Sequence, residues 1–178
     1  MKNKNRDEEG ASQGAATAEK NISLTVNGKQ HELLVGKDVN PEHTLAYTLR
    51  ETLGYTGTKI ACDHGSCGAC TVLMDGEAVL SCTMLTVECD GKNITTIEGL
   101  ENAKTGELHP LQQAFIDNTA FQCGFCTPGI IMSAKALLDK NPSPTEEDIK
   151  QELAGHYCRC VSHYLVIKAI LSLAEKGR

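Results

Sequence analysis

Eight of the nine cysteines in this 178-residue chain fall into two groups of four, each spaced to hold iron and sulfide. The first group reads Cys62-x4-Cys67-x2-Cys70-x11-Cys82, the plant-type arrangement in which four thiolates grip a [2Fe–2S] cluster. The second reads Cys123-x2-Cys126 and, after a long gap, Cys158-x-Cys160. Two one-electron centres in one small chain point to electron relay. Plant-type clusters sit near about −400 mV, which suits exchange with a flavin.

The competing reading is zinc, which also takes four thiolates. Zinc sites usually pair two C-x2-C knuckles, and the x4-then-x2 run of the first set is unlike them. In the second set, Cys158 and Cys160 stand one residue apart, a poor arrangement for a tetrahedron from a single loop. Zinc stays open there as the main rival. A Rieske centre would put histidines in place of two thiolates. His64 lies in the first loop, but four cysteines already complete that set, so His64 reads as a solvated loop residue. Cys89 matches no ligand position and reads as a buried bystander.

The elements that would position these thiolates are legible in outline. Three ligands in one tight loop need a backbone that curls around inorganic sulfide. Gly65 and Gly68 supply it, because glycine tolerates positive φ and brings N–H groups close. Ahead of the loop, Ile22 to Val26 alternates as a strand, Asn27-Gly28 is a hairpin turn, and Glu32 to Val35 returns. Pro41 to Leu53 reads as a helix with Leu45, Leu49 and Leu53 on one face. After the loop come a second hairpin, Thr71–Met74 and Glu77–Ser81 around Asp75-Gly76, and a strand at Asn93–Thr96.

Near Gly99–Gly106 the period turns helical. Leu111, Phe115 and Ile116 begin an apolar face, and Thr127-Pro128 reads as a cap followed by a helix-starting proline. Ile130, Ile131, Ala134, Leu137 and Leu138 stripe the helix that follows. Ser143-Pro144-Thr145-Glu146 reads as a capping box, and Val166, Ile167, Ile170, Leu171 and Ala174 stripe a last helix. These are four short helices, with the second cysteine set just before two of them. Helix N-termini facing a common centre would offer free N–H groups to an anionic cluster.

Composition narrows the partners. The formal charge is −6, with no Lys/Arg run, which argues against nucleic acid. No apolar stretch approaches transmembrane length. Residues 1–20 are polar, with neither a hydrophobic core nor a twin-arginine pair, and read as a disordered tail. A cytoplasmic protein with reduced thiols is expected.

Longer motifs carry a family resemblance. Thr56-Gly57-Thr58-Lys59 leads into C-D-H-G-S-C-G-A-C-T-V. Then come Q-C-G-F-C-T-P-G, from Gln122 to Gly129, and C-R-C at Cys158–Cys160. The chain in this resembles the small iron–sulfur subunit of the molybdenum hydroxylases. That family includes xanthine dehydrogenases, aldehyde oxidoreductases, carbon monoxide dehydrogenases and 4-hydroxybenzoyl-CoA reductases. The resemblance implies an α+β protein: a plant-type ferredoxin (β-grasp) domain over 21–98, then a four-helix-bundle [2Fe–2S] domain over 99–178.

It also implies partners: a large subunit with a molybdenum-pterin cofactor and a medium subunit with FAD, as a dimer of heterotrimers. Electrons would pass between molybdenum and FAD through the two clusters, and this chain would do no substrate chemistry itself. Cys160 and Gln122 match positions that in relatives lie against the pterin, although Gln122 also reads as an ordinary loop amide. A free-standing two-cluster ferredoxin is the alternative. Two places depart from the pattern. Relatives read Gly-Asn-Leu/Ile before C-R-C and Thr-Gly-Tyr after it. Here Gly155-His156-Tyr157 and Val161-Ser162-His163-Tyr164 stand instead. The two histidines would either shift the cluster potential or docking surface, or face solvent or an interface with another chain.

Overall fold

The computed structural model describes residues 21–176; the expected tail at 1–20 lies outside the described residues. Strand β1 (Asn21–Val26) pairs antiparallel with β2 (Lys29–Leu34) through the Asn27-Gly28 turn. Asn27 and Gly28 both take positive φ, as this two-residue hairpin turn requires. A three-residue helix α1 (Leu45–Tyr47) runs directly into a π-helical turn at Thr48–Thr52. Strands β3 (Thr71–Met74) and β4 (Glu77–Leu80) form the second hairpin, and β5 (Asn93–Thr95) completes the sheet. The order is β2-β1-β5-β3-β4, with β5 parallel to β1 and antiparallel to β3.

The expected helix at Pro41–Leu53 starts later than its apolar spacing suggested. Thr44 caps it by accepting from the Tyr47 N–H, so Pro41 stays in the preceding turn. Leu45 and Leu49 are fully buried with Ile22, Leu24, Val26, Val72 and Ile94, which closes the core between helix and sheet. Burying each such side chain contributes about 1.5–3 kcal/mol.

The C-terminal half is helical: α2 (Pro110–Asp117), α3 (Thr127–Lys140), α4 (Glu146–Glu152) and α5 (His163–Lys176). They share a separate core of Leu111, Phe115, Ile130, Ile131, Ile149, Val166 and Ile170. Three details differ from the sequence expectations. Ile116 points outward at 48% exposed, because the short α2 buries only Leu111, Ala114 and Phe115. Thr127 is the first helical residue, and Cys126 takes the cap position without a side-chain capping bond. The capping box near Pro144 sits two residues later, with Thr145 as the cap and Asp148 returning to the Thr145 N–H.

Helix α3 joins the halves. It buries Met132, Ser133 and Ala136 as well as Ile130, Ile131 and Ala134 of its expected stripe, with Leu137 and Leu138 half-buried, and Met132 and Ala136 pack against Leu73 of β3. A helix covered on nearly every side is buried between layers. Among the described residues, no helix is long and apolar enough to cross a membrane.

Candidate metal centres

The first cysteine set is gathered by the loop after the π-helical turn and by the hairpin β3–β4. Arg50, in that turn, donates from its guanidinium to the carbonyls of Thr56 and Thr58 and so pins the loop's entry. The hairpin register pairs Thr71 with Leu80, which brings Cys70, just before β3, beside Cys82, just after β4. Ser81 locks this closure, donating from its hydroxyl to the Cys70 carbonyl at 2.6 Å. Cys70 and Cys82 are buried, whereas Cys62 and Cys67 are partly exposed.

Within the set, Cys70 and Cys82 pack in one buried cluster with Ala46, and Cys67 neighbours Cys62. Backbone donors favour the thiolate on the outer side. The His64 N–H first, then those of Ser66 and Cys67, hold the Cys62 thiol down at about 6. The Ser66 N–H lies 3.3 Å from the Cys62 Sγ. On the inner side, burial first and then the neighbouring Cys70 push the Cys82 thiol up to about 12. A thiol held this high needs a positive centre to become a thiolate, which a bound iron would supply. His64 is exposed in the loop, as expected.

The second set has the same plan. Cys126 stands at the cap of α3, and Cys158 and Cys160 lie in the segment leading to α5. The Cys160 and Cys123 sulfurs are 3.8 Å apart, and Cys126 shares a contact with Cys158. At Cys158, burial raises the thiol, but the N–H groups of Val161 and Cys160 and the Cys126 thiol outweigh it and hold it below its ordinary value. Those two N–H donors lie 3.2 and 3.3 Å from the Cys158 Sγ. Cys126 is pushed up to about 12, chiefly by burial.

Each set therefore gathers four cysteines. A binuclear cluster needs four thiolates, two on each iron, so the donor sets fit it in number and kind. Among the described residues, no three Cys, His, Asp or Glu side chains gather as a shell for one metal ion. All nine cysteines are free thiols. Cys89 is fully buried, its thiol donating to the Leu85 carbonyl, a bystander as expected.

Comparison with known proteins agrees. A model described as "2Fe-2S iron-sulfur cluster binding domain" matches residues 23–114, and one described as "[2Fe-2S] binding domain" matches residues 96–171. The chain is 46% identical to the nicotine 6-hydroxylase small subunit of Paenarthrobacter nicotinovorans, over 84% of this chain and 87% of that one. It is 41% identical to the nicotinate dehydrogenase small FeS subunit of Eubacterium barkeri, over 87% of this chain and 95% of that one. This chain belongs to the small iron–sulfur subunits of the molybdenum hydroxylases. The crystal structure of quinoline 2-oxidoreductase from Pseudomonas putida 86 contains a chain similar in fold, with a TM-score of 0.82 and 40% identity. That match covers 91% of this chain and 98% of that one. The two domain models fit two [2Fe–2S] clusters in this iron–sulfur subunit.

Two links at the subunit's site, through the Tyr157 backbone and Ser133, were not singled out by sequence reasoning. Tyr157 donates its N–H to the Cys67 carbonyl at 3.1 Å, joining the segment of the second set to the loop of the first. His156 does not face solvent. It is 7% exposed, with Nε2 2.7 Å from the Ser133 hydroxyl and the ring over Gly68. Burial, aided by nearby His163, pushes this imidazole down to about 4. His163 is exposed at the start of α5. Gln122, Cys123, Phe125 and Cys160 are all exposed, forming the outer face of the second set.

Proposed function

We propose that this subunit relays electrons between a large subunit's molybdenum-pterin cofactor and a medium subunit's FAD, through two [2Fe–2S] clusters. The observation that carries this is the gathering of eight cysteines into two sets of four, joined by the backbone hydrogen bond from Tyr157 to Cys67. When bound, such a cluster accepts and releases one electron at a time. Cys62, Cys67, Cys70 and Cys82 hold the first cluster; Cys123, Cys126, Cys158 and Cys160 hold the second. The ferredoxin-type domain spans 21–98 and the helical domain 99–178.

The two sets differ in exposure, and that difference supports a direction for each. Cys123, Cys160 and Gln122 lie at the surface, so the second set meets the pterin there, with Cys160 and Gln122 as contacts. The segment Asp63–Ser66 beside Cys62 and Cys67, exposed at Asp63, His64 and Ser66, gives the first set its own outlet, toward FAD. Between them, the path from Cys67 through the Tyr157 N–H to Cys158 is short and continuous. The complex is cytoplasmic and assembles as a dimer of heterotrimers. Substrate chemistry belongs to the large subunit.

Anaerobic affinity purification from the native host, with mass spectrometry and metal analysis, tests this. Large and medium chains arriving with molybdenum and FAD support the relay. A brown chain that emerges alone, with about four irons and no molybdenum, makes it a free-standing carrier instead.

A further inference from the structure

Gly68 is enclosed on two sides by the helical half of the molecule. It lies between two first-set cysteines, Cys67 and Cys70, with φ at +74°. A Cβ placed there would meet His156 Nδ1 at 2.4 Å, and a Cβ on Gly129 of α3 would meet the Gly68 carbonyl oxygen at 2.2 Å. The loop is thus seated against α3 below and an imidazole above, with no room for a methyl group at either contact.

The imidazole is itself held. Its Nε2 bonds to Ser133, one turn along α3 from Gly129, and its backbone N–H donates to the Leu153 carbonyl. The next residue, Tyr157, donates to the Cys67 carbonyl, and the one after that is Cys158 of the second set. His156 Nδ1 has no hydrogen-bond partner. A buried ring nitrogen left unpaired costs stability, about 1–3 kcal/mol.

We propose that His156 is a positioning residue for the first metal centre. From the segment carrying the second cysteine set, braced on Ser133, it fixes the Cys67–Cys70 loop that carries two ligands of the first. The inference rests on the ligand assignment above. N–H groups of such a loop tune a cluster by their distance from its sulfurs, so the loop's placement sets the properties of the centre it wraps. One imidazole therefore ties the geometry of the first centre to the segment that ligates the second.

The test uses the full chain with its metal centres, comparing wild type with His156→Ala, His156→Gln and Ser133→Ala. EPR-monitored redox titration reads the two centres separately. His156→Ala is expected to shift the potential and line shape of the first centre, leave those of the second in place, and slow transfer between them about tenfold. Ser133→Ala is expected to move the first centre the same way by less. His156→Gln, which can still reach Ser133, is expected to restore part of the shift. An unchanged first centre in His156→Ala overturns the proposal. So does an equal loss of both centres, the mark of a merely structural role.

A second measurement does not depend on iron. Gly68→Ala is expected to destabilise the chain in both backgrounds, because φ of +74° strains any side chain, and by less in His156→Ala, where the colliding ring is gone. Additive effects in that cycle overturn the contact. A wild-type chain that binds no iron defeats the functional reading, and the cycle then decides the contact on its own.

Discussion

The amide of Tyr157 donates to the carbonyl of Cys67 at 3.1 Å, so the two cysteine sets are separated by one hydrogen bond and one peptide unit. The Tyr157 side chain contributes nothing to this link and is 69% exposed. The contact is between backbones. It survives most substitutions at position 157, and only removal of the N–H abolishes it.

Tyr157→Pro removes that N–H. His156 is already extended at φ −100° and ψ 117°, the conformation a residue before proline prefers. The loss is about 0.5–1.5 kcal/mol of stability, with iron content retained. Electron passage between the centres slows, which stopped-flow reduction followed at two wavelengths would read. Tyr157→Phe is the control and leaves the rate unchanged.

Substituting ligands separates the two sets. Cys82→Ser and Cys123→Ser should each remove one EPR signal and leave the other, with iron falling from about four atoms to about two. Cys89→Ala should keep both signals, since that thiol is buried, pushed up to about 11 chiefly by burial, and bonded only to a carbonyl. Loss of a cluster in the Cys89 variant would put the ligand assignment in error.

Gly129→Ala sets helix propensity against sterics. Propensity favours alanine in a helix by about 1 kcal/mol. The new methyl would press on the Gly68 carbonyl, a backbone atom unable to swing away. The steric term wins, with a net loss of about 1–3 kcal/mol. Gly155→Ala, where a Cβ meets nothing within 4 Å, is neutral. Thermal melts of the two variants check the contrast.

Acid weakens the start of α2. His109 caps it, with Nδ1 accepting from the Leu111 N–H at 3.1 Å while Gln112 returns to the His109 N–H. Burial first and then Lys135 hold this imidazole below its ordinary 6.5. The native state therefore keeps it neutral where the unfolded chain would protonate it, so stability falls as pH drops below 6.5 and is whole above it. His31 and His156, also lowered, act in the same direction. His109→Asn keeps a good cap, worth about 1 kcal/mol, and should flatten part of the decline in melting temperature between neutral pH and about pH 5.

The chemistry was readable in the sequence, because thiolate spacing and the two hairpin turns are local. Asn27-Gly28 and Asp75-Gly76 both form the expected turns, and the second turn sets the register that brings Cys70 to Cys82. What the sequence concealed depends on contacts between the halves. Ser133 and Met132 look like the polar and spare faces of α3, yet both are buried, because β3 and His156 cover the side away from the helical core. The sequence leaves His156 open between a place beside the cluster and one at the surface, and its seat over Gly68 is a contact between the halves. The later start of α4 followed from Thr145 and Asp148 forming the box that Ser143 had seemed to open.

The central claim is that this one chain carries two binuclear iron–sulfur centres in series. Iron and acid-labile sulfide analysis of the anaerobically purified protein, with EPR after dithionite reduction, tests it most directly. The account predicts about four irons and four sulfides per chain and two distinguishable signals. A single signal with about two irons, or zinc in place of iron in the second set, would contradict it.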